Sequence, residues 1–313
     1  MIIRDIQAAA GILAEGGVVA FPTETVYGLG ADALSADAVA KVYALKVRPS
    51  NNPLIVHVSS IEMAKSVASQ WPETADKLAQ AFWPGPMTIV VPKNERVPDR
   101  VTGGGETVAI RMPAHEMARQ LIEAFGGPVV GPSANASGSI SPTAAAHVAE
   151  SLGERVPVLD GGPCERGIES TVVRVEHDSV SILRLGVIGR GEIERVVPVV
   201  ETSEENASDP LPSPGMLTRH YAPRTLTRVV DASDVASMLA KHPRAALLSI
   251  SPTNRPGTIP MPADAPTYAR RLYAALREAD AMGGDLILVE RPDGIGPIWD
   301  AVRDRLGRAS ADR

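Results

Sequence analysis

The sequence predicts an α/β protein: a mixed sheet with helices over the first two hundred residues, then a small second α/β unit. Three observations carry that expectation. Short apolar runs alternate with stretches of helical periodicity, the pattern of strands and helices packed in layers. Several runs follow one another too closely to be joined by crossover helices, so some neighbouring strands have to be antiparallel. An acidic, proline-rich stretch then separates this alternation from a second one, and 313 residues leave room for both units.

In the first unit, residues 18–21, 54–58, 87–91, 108–110, 129–130, 156–159, 171–175 and 180–183 read as strands. Helices are predicted over 5–15, 36–46, 72–82, 114–125 and 142–152. In the second of these, Ala38, Val39, Val42, Tyr43 and Lys46 share one face, and Ser35 is a suitable N-cap. Residues 201–209 hold four acids and no base, and Pro210, Pro212, Pro214 and Gly215 follow, a linker composition. Beyond it, strands are predicted at 226–230, 245–250 and 286–290, and helices at 235–241, 265–281 and 298–308, which reads as Rossmann-like layering. The expected boundaries are 1–200 for the first unit, 201–225 for the linker and 226–313 for the second unit.

Composition excludes several functions. The chain has 31 Lys and Arg against 37 Asp and Glu, a formal charge of -6, so it is not built to coat nucleic acid. Aromatics are 4% of the chain, too few for a base-stacking surface. One cysteine, Cys164, rules out a disulfide framework and cysteine-cluster metal sites. No apolar run approaches the ~18 residues of a membrane span, and the N-terminal stretch carries acids where a signal peptide is apolar. A cytoplasmic protein with no membrane attachment is the expectation.

Each motif has an ordinary explanation beside a functional one. Lys46-Val47-Arg48-Pro49 closes a helix, where basic residues suit the dipole. If the exit is extended, Lys46 and Arg48 point to one side and suit a polyphosphate. Ser133 and Asn135, in the small-residue run 131–138, share a side in the same way, and Ser141-Pro142 reads as an N-cap with proline at the first helical position. The spacing Gly28-x-Gly30-x-x-Ala33 imitates a dinucleotide fingerprint, but no helix follows it directly, and we reject it. Thr107, Ala109 and Arg111 alternate onto one strand face; Arg111 is either an ordinary ion-paired residue or a carboxylate clamp. There is no Walker A sequence, no His-Glu-x-x-His and no metal spacing among the six histidines.

Together these pieces resemble the YrdC-like family, and more closely its two-domain members, the threonylcarbamoyl-adenylate synthases. The matching stretches are FPTETVYGLGADA at 21–33, KVRPSNNPLIVHV at 46–58, FWPGPMTIVV at 82–91, TVAIRMPAH at 107–115, GPSANASGSISPT at 131–143 and GGPCERGIESTVV at 161–173. SPGMLTRHYAP at 213–223 resembles the family's interdomain linker. Leu185 stands where the family commonly has proline, and Leu217-Thr218 replaces a basic and aromatic pair.

The resemblance implies a YrdC-type fold, a twisted mixed sheet under a concave cleft. It implies an enzyme that makes threonylcarbamoyl-AMP and pyrophosphate from L-threonine, bicarbonate or CO2, and ATP. The product serves the threonylcarbamoyladenosine modification beside the tRNA anticodon, through a downstream tRNA threonylcarbamoyl transferase complex. Lys46 and Arg48 are implied to be catalytic. Arg48, Asn52, Thr107, Ser133, Asn135, Ser141, Arg184 and Tyr221 are implied to bind ATP, with Tyr221 folding back over the cleft. Thr25, His57, Arg111 and Thr171 fall where the family binds threonine. Mg2+ is expected on the triphosphate rather than in a protein cage. A monomer with at most weak direct tRNA binding is expected. The competing readings are an RNA-binding protein using the same cleft and another carbamoyl-adenylate-dependent carbamoyltransferase.

Overall fold

A computed structural model describes residues 1–201 and 219–311. The first unit runs β1 (Ile2–Ile3), α1 (Ile6–Ala14), β2 (Val19–Phe21), β3 (Gly28–Asp32), α2 (Ala36–Lys46), β4 (Ile55–His57), α3 (Ile61–Val67), α4 (Glu73–Phe82), β5 (Met87–Pro92), α5 (Asp99–Thr102), β6 (Thr107–Arg111), α6 (Glu116–Phe125), β7 (Val129–Val130), α7 (Ala145–Leu152), β8 (Val158–Leu159), β9 (Thr171–Glu176), β10 (Ser179–Arg184), α8 (Arg190–Glu194) and β11 (Val199–Val200). The second runs β12 (Thr227–Val230), α9 (Val235–Lys241), β13 (Ala246–Ser249), β14 (Thr258–Pro260), α10 (Ala265–Ala281), β15 (Ile287–Glu290) and α11 (Pro297–Ala309).

The large sheet has the strand order β1-β8-β2-β3-β7-β4-β6-β5-β9-β10-β11. It is mixed: β2 and β3, β5 and β6, and β9 and β10 pair antiparallel, whereas β4 and β6, and β5 and β9, pair parallel. Alternation along β2 shows how the strands serve two layers. Ala20 faces the core under α2, α4 and α7, and Val19 and Phe21 face α1 and α6. Helices cover the second face only in part. Beside α1 and α6 lies a small cluster of Ile55, Val90, Ala109 and Val172, and Ile55 borders the cavity described below.

The smaller sheet is wholly parallel, in the order β12-β15-β13-β14. Its alternating residues again divide. Ala246, Leu248, Ile287 and Val289 pack against α10 and α11, and Leu247 and Leu288 pack on the side of α9. The three-layer arrangement matches the expected Rossmann-like layering. The apolar cluster of α10 and α11 does not stop at the domain edge. Val26, Ile140 and Ile168 of the first unit and Tyr221 of the connecting segment belong to it. Most of the predicted linker, residues 202–218, lies outside the described residues, Leu217 and Thr218 included.

The structure corrects several local expectations. Residues 28–32, outside the predicted strands, form β3. The glycines are there for Phe21: a Cβ at Gly28 would lie 2.8 Å from its Cζ, and one at Gly30 3.0 Å from its Cδ1. The helix predicted from 142 begins at Ala145, so Ser141 is not its N-cap. Pro142 instead accepts a backbone bond from Tyr27 N at 2.9 Å. The exit from α2 is not extended either. Val47 takes a left-handed conformation (φ 50, ψ 47), and Arg48 N reaches back to Tyr43 O at 3.1 Å, a Schellman-type ending.

A buried, cation-lined pocket at the junction of the two units

The turn after β2, the exit from α2, the ends of β4 and β6, the 131–133 loop and the connecting segment converge on a small cavity of about 50 Å³. Each supplies a side chain the sequence singles out: Thr25, Arg48, His57, Arg111, Ser133 and Tyr221 all border it. Arg184 joins them from β10, where the register shifts between Ile182 and Arg184; such a bulge re-aims a side chain. The bulge lets Arg184 donate to Ser170 O through Nε and to Ser170 Oγ through Nη2, at 3.1 and 3.0 Å.

Three guanidiniums are thus buried around one small space. Arg48 donates to Asn52 O, Asn52 Oδ1 and Pro53 O at 2.6–3.0 Å, so Asn52 orients it from behind. Burial pulls the Arg48 pKa down to about 10, which leaves it charged at neutral pH. Arg111 donates to Gly85 O and Thr25 Oγ1 and pairs with Glu24 at 2.7 Å. Each terminal nitrogen of a guanidinium carries two N–H groups, so these contacts do not exhaust it. Beside Arg111, burial and the neighbouring positive charge push the His57 pKa down to about 3, so its imidazole is neutral. Gly131 has to be glycine here: a Cβ would stand 2.6 Å from His57 Nδ1.

Lys46 sits one layer deeper. Its Nζ donates to Ser133 O at 2.5 Å and Asn135 O at 2.6 Å, which pins the 133–135 loop. Complete burial, then the nearby Arg48, lowers its pKa well below the usual lysine value. Asn135 turns away from Ser133, its amide donating to Ala136 O and Ser139 O. Ser141 donates to Glu169 at 2.7 Å. Thr171 is tied to Ile188, its hydroxyl donating to Ile188 O at 2.8 Å and accepting from Ile188 N at 3.1 Å. Thr107 stands opposite Pro92 at the outer end of β6, and neither threonine borders the cavity.

Sequence reasoning missed Glu169, Ser170 and His220, which also border the cavity. Glu169 is the one carboxylate among its lining residues. Burial alone would raise its pKa, but Arg305 and Arg184 outweigh that and hold it at about 2. His220 is kept neutral by burial, with its pKa at about 3. The signal for both lay in a neighbour: Glu169 precedes the Ser-Thr of a strand start, and His220 precedes Tyr221.

Buried polar atoms without partners are rare in folded proteins. Asn52 Nδ2, His57 Nδ1, Asn135 Oδ1, His220 Nδ1 and Tyr221 Oη make no hydrogen bond among the described residues. His57, His220 and Tyr221 line the cavity, Asn52 orients Arg48 and Asn135 stands in the loop that Lys46 pins; Thr258 Oγ1, Tyr268 Oη and Arg277 Nε, away from it, are unpartnered as well. A larger open groove of about 630 Å³ is lined by residues 222–224 among others, but its three arginines are already paired, Arg277 with Glu150, Arg224 with Asp280 and Arg271 with Glu278.

Comparison with known proteins gives a consistent result. A family profile for Sua5, YciO and YrdC, described as telomere recombination, matches residues 11–186. A profile described as threonylcarbamoyl-AMP synthase, C-terminal domain, matches residues 188–311. The chain is 40% identical to a threonylcarbamoyl-AMP synthase of Pyrococcus abyssi, over 98% of this chain and 94% of that one. It is also 40% identical to the Bacillus subtilis protein of the same name, over 98% and 93%. A crystal structure of P. abyssi Sua5 complexed with L-threonine superposes with a TM-score of 0.89 at 39% identity, over 99% of this chain and 97% of that one. E. coli YciO, at 21% identity and a TM-score of 0.54 over 62% of this chain and 97% of that one, shares the fold of the first unit.

Proposed function

The chain belongs to the Sua5–YciO–YrdC family, in the form that carries the threonylcarbamoyl-AMP synthase C-terminal domain, and we propose that its buried pocket makes threonylcarbamoyl-AMP and pyrophosphate from L-threonine, bicarbonate or CO2, and ATP. The observation that carries this reading is the set of unpartnered polar atoms on Asn52, His57, Asn135 and Tyr221. These are residues that the family resemblance assigns to the same substrates.

The chemistry asks for positioning and charge compensation rather than a covalent nucleophile. The neutral threonine amine adds to CO2 with loss of a proton, or to bicarbonate with loss of water, and becomes a carbamate. A carbamate oxygen attacks the α-phosphorus, the bond to the bridging oxygen breaks, and pyrophosphate leaves. Arg48 and Arg184 face the polyphosphate and absorb the charge that develops on it. Arg111, with the N–H groups left after Thr25 and Glu24, takes the threonine carboxylate. His57, neutral beside Arg111, accepts a hydrogen bond from threonine without adding a repelling charge to its ammonium. Lys46 acts by holding Ser133 and Asn135 at the pocket's edge. Mg2+ enters as part of the substrate, on the triphosphate.

Water is the competing nucleophile against both carbamate and product. His220 and Tyr221 roof the pocket, and a cavity of about 50 Å³ is far smaller than ATP, so the roof lifts for substrates and reseats for chemistry. The product then passes to a tRNA-modifying transferase, from a monomer in the cytoplasm. Among the described residues, no helix is long and apolar enough to cross a membrane.

The test is pyrophosphate release from ATP, with and without L-threonine and bicarbonate, joined to mass analysis for threonylcarbamoyl-AMP. Release that depends on both co-substrates, with the adduct present, is expected. Release indifferent to threonine, or no adduct, overturns the reading.

A further inference from the structure

The roof is held by the second unit. Tyr221 is fully buried at φ 61, a left-handed backbone that a tyrosine keeps only when its surroundings impose it. Its ring stacks on Tyr273 of α10, with centroids 5.7 Å apart, and the Arg305 guanidinium of α11 lies 5.2 Å over it. The same two residues reach the pocket wall. Tyr273 donates its hydroxyl to Glu169 Oε2 at 2.8 Å, and Arg305 Nε donates to that oxygen at 2.8 Å. Arg305 also donates to Leu185 O at 2.8 Å, which fixes the residue after Arg184. One fully buried arginine therefore touches the roof, the wall carboxylate and the loop that aims a pocket cation.

We propose that Arg305 and Tyr273 are positioning residues for the pocket: they latch Tyr221 down and hold Glu169 and the 184–186 loop in register. The role of the second unit in the reaction is then to seat the roof, and this rests on the synthase reading above. Removing Arg305 takes away a cation–π contact, leaves Glu169 buried beside fewer donors and frees Leu185 O. The pocket itself keeps its cations, so substrate capture survives while closure suffers.

The experiment compares the full-length chain with Arg305→Met, Tyr273→Phe and the charge-balanced pair Glu169→Gln/Arg305→Met. Residues 202–218 contain no Lys or Arg, so trypsin cleavage after Arg219 reports the seating of the roof, and cleavage after the exposed Arg96 reports general loosening. In Arg305→Met, cleavage after Arg219 is expected to rise about tenfold relative to Arg96. Threonylcarbamoyl-AMP formed per pyrophosphate released, and kcat, are expected to fall by about tenfold or more with little change in KM for ATP. Tyr273→Phe, which keeps the ring, shows smaller changes of the same sign and covers the case in which Arg305→Met does not fold. Cleavage after Arg219 unchanged in Arg305→Met and in the pair, with wild-type product yield, overturns the latch. A parent chain that makes no adduct, while its Arg219 cleavage still responds to Arg305→Met, overturns the synthase reading and leaves the latch standing.

Discussion

At the scale of single residues, Val47 shows how one backbone conformation sends two neighbouring cations to different places. Lys46 and Arg48 stood out as paired cations, yet they do not point to one spot. Val47, 82% exposed, adopts the left-handed conformation and separates them, so that Lys46 goes under the 133–135 loop and Arg48 into the pocket. A β-branched residue is among the worst at that conformation, so no propensity rule would have placed the turn there. The strain has a measurable consequence. Val47→Asn removes only an exposed side chain and installs a residue that tolerates the left-handed region. It is expected to raise stability by about 1 kcal/mol, read as a higher denaturant midpoint; an unchanged or lower midpoint would mean that Val47 carries no strain. Arg184 borders the cavity, but the bulge that aims it left no signal in the sequence.

The long helices were the most legible elements. α2, α9 and α10 span 36–46, 235–241 and 265–281, as their apolar spacing predicts. Most missed pieces are short: α5 and α8 have 4 and 5 residues, β14 has 3, and β1 and β11 have 2 each, too few for a periodicity to register; α3, with 7 residues, was missed although α9 of the same length was not. β3 was missed for a different reason. Its glycines mimic a turn, whereas their purpose is to admit the Phe21 ring, a tertiary contact invisible to local reading. Capping was readable: Ser35 Oγ accepts from Ala38 N at 3.2 Å at the start of α2. Ser35→Ala is expected to cost about 1 kcal/mol in urea unfolding without altering turnover. A loss of kcat larger than the loss of folded protein would mean that this cap also sets the position of Lys46, one helix length away.

For the whole molecule, the two-unit organisation and the linker composition were plain in the sequence, but the way the units meet was not. The contacts run from Glu169 to Tyr273 and Arg305, each more than a hundred positions away from it. Acid sensitivity follows from the same burial. In the unfolded chain His57 and His220 take up protons near pH 6.5, and in the folded chain only near pH 3. Between those values the unfolded state binds more protons, so stability is full above pH 6.5 and falls as pH drops. The two imidazoles together should make the protein about 3 kcal/mol less stable at pH 5.5 than at pH 8. Glu169, held at about 2, adds a further loss below the ordinary carboxylate range. Equal urea midpoints at the two pH values would show that the histidines are not kept neutral. The apolar cluster that joins Val26, Ile140 and Ile168 to α10 and α11 carries a different implication. The halves are not interchangeable parts. A chimera that grafts the second half of one relative onto the first half of another inherits mismatched packing at that seam, and its success depends on moving those three positions and residue 169 together with the helices they meet.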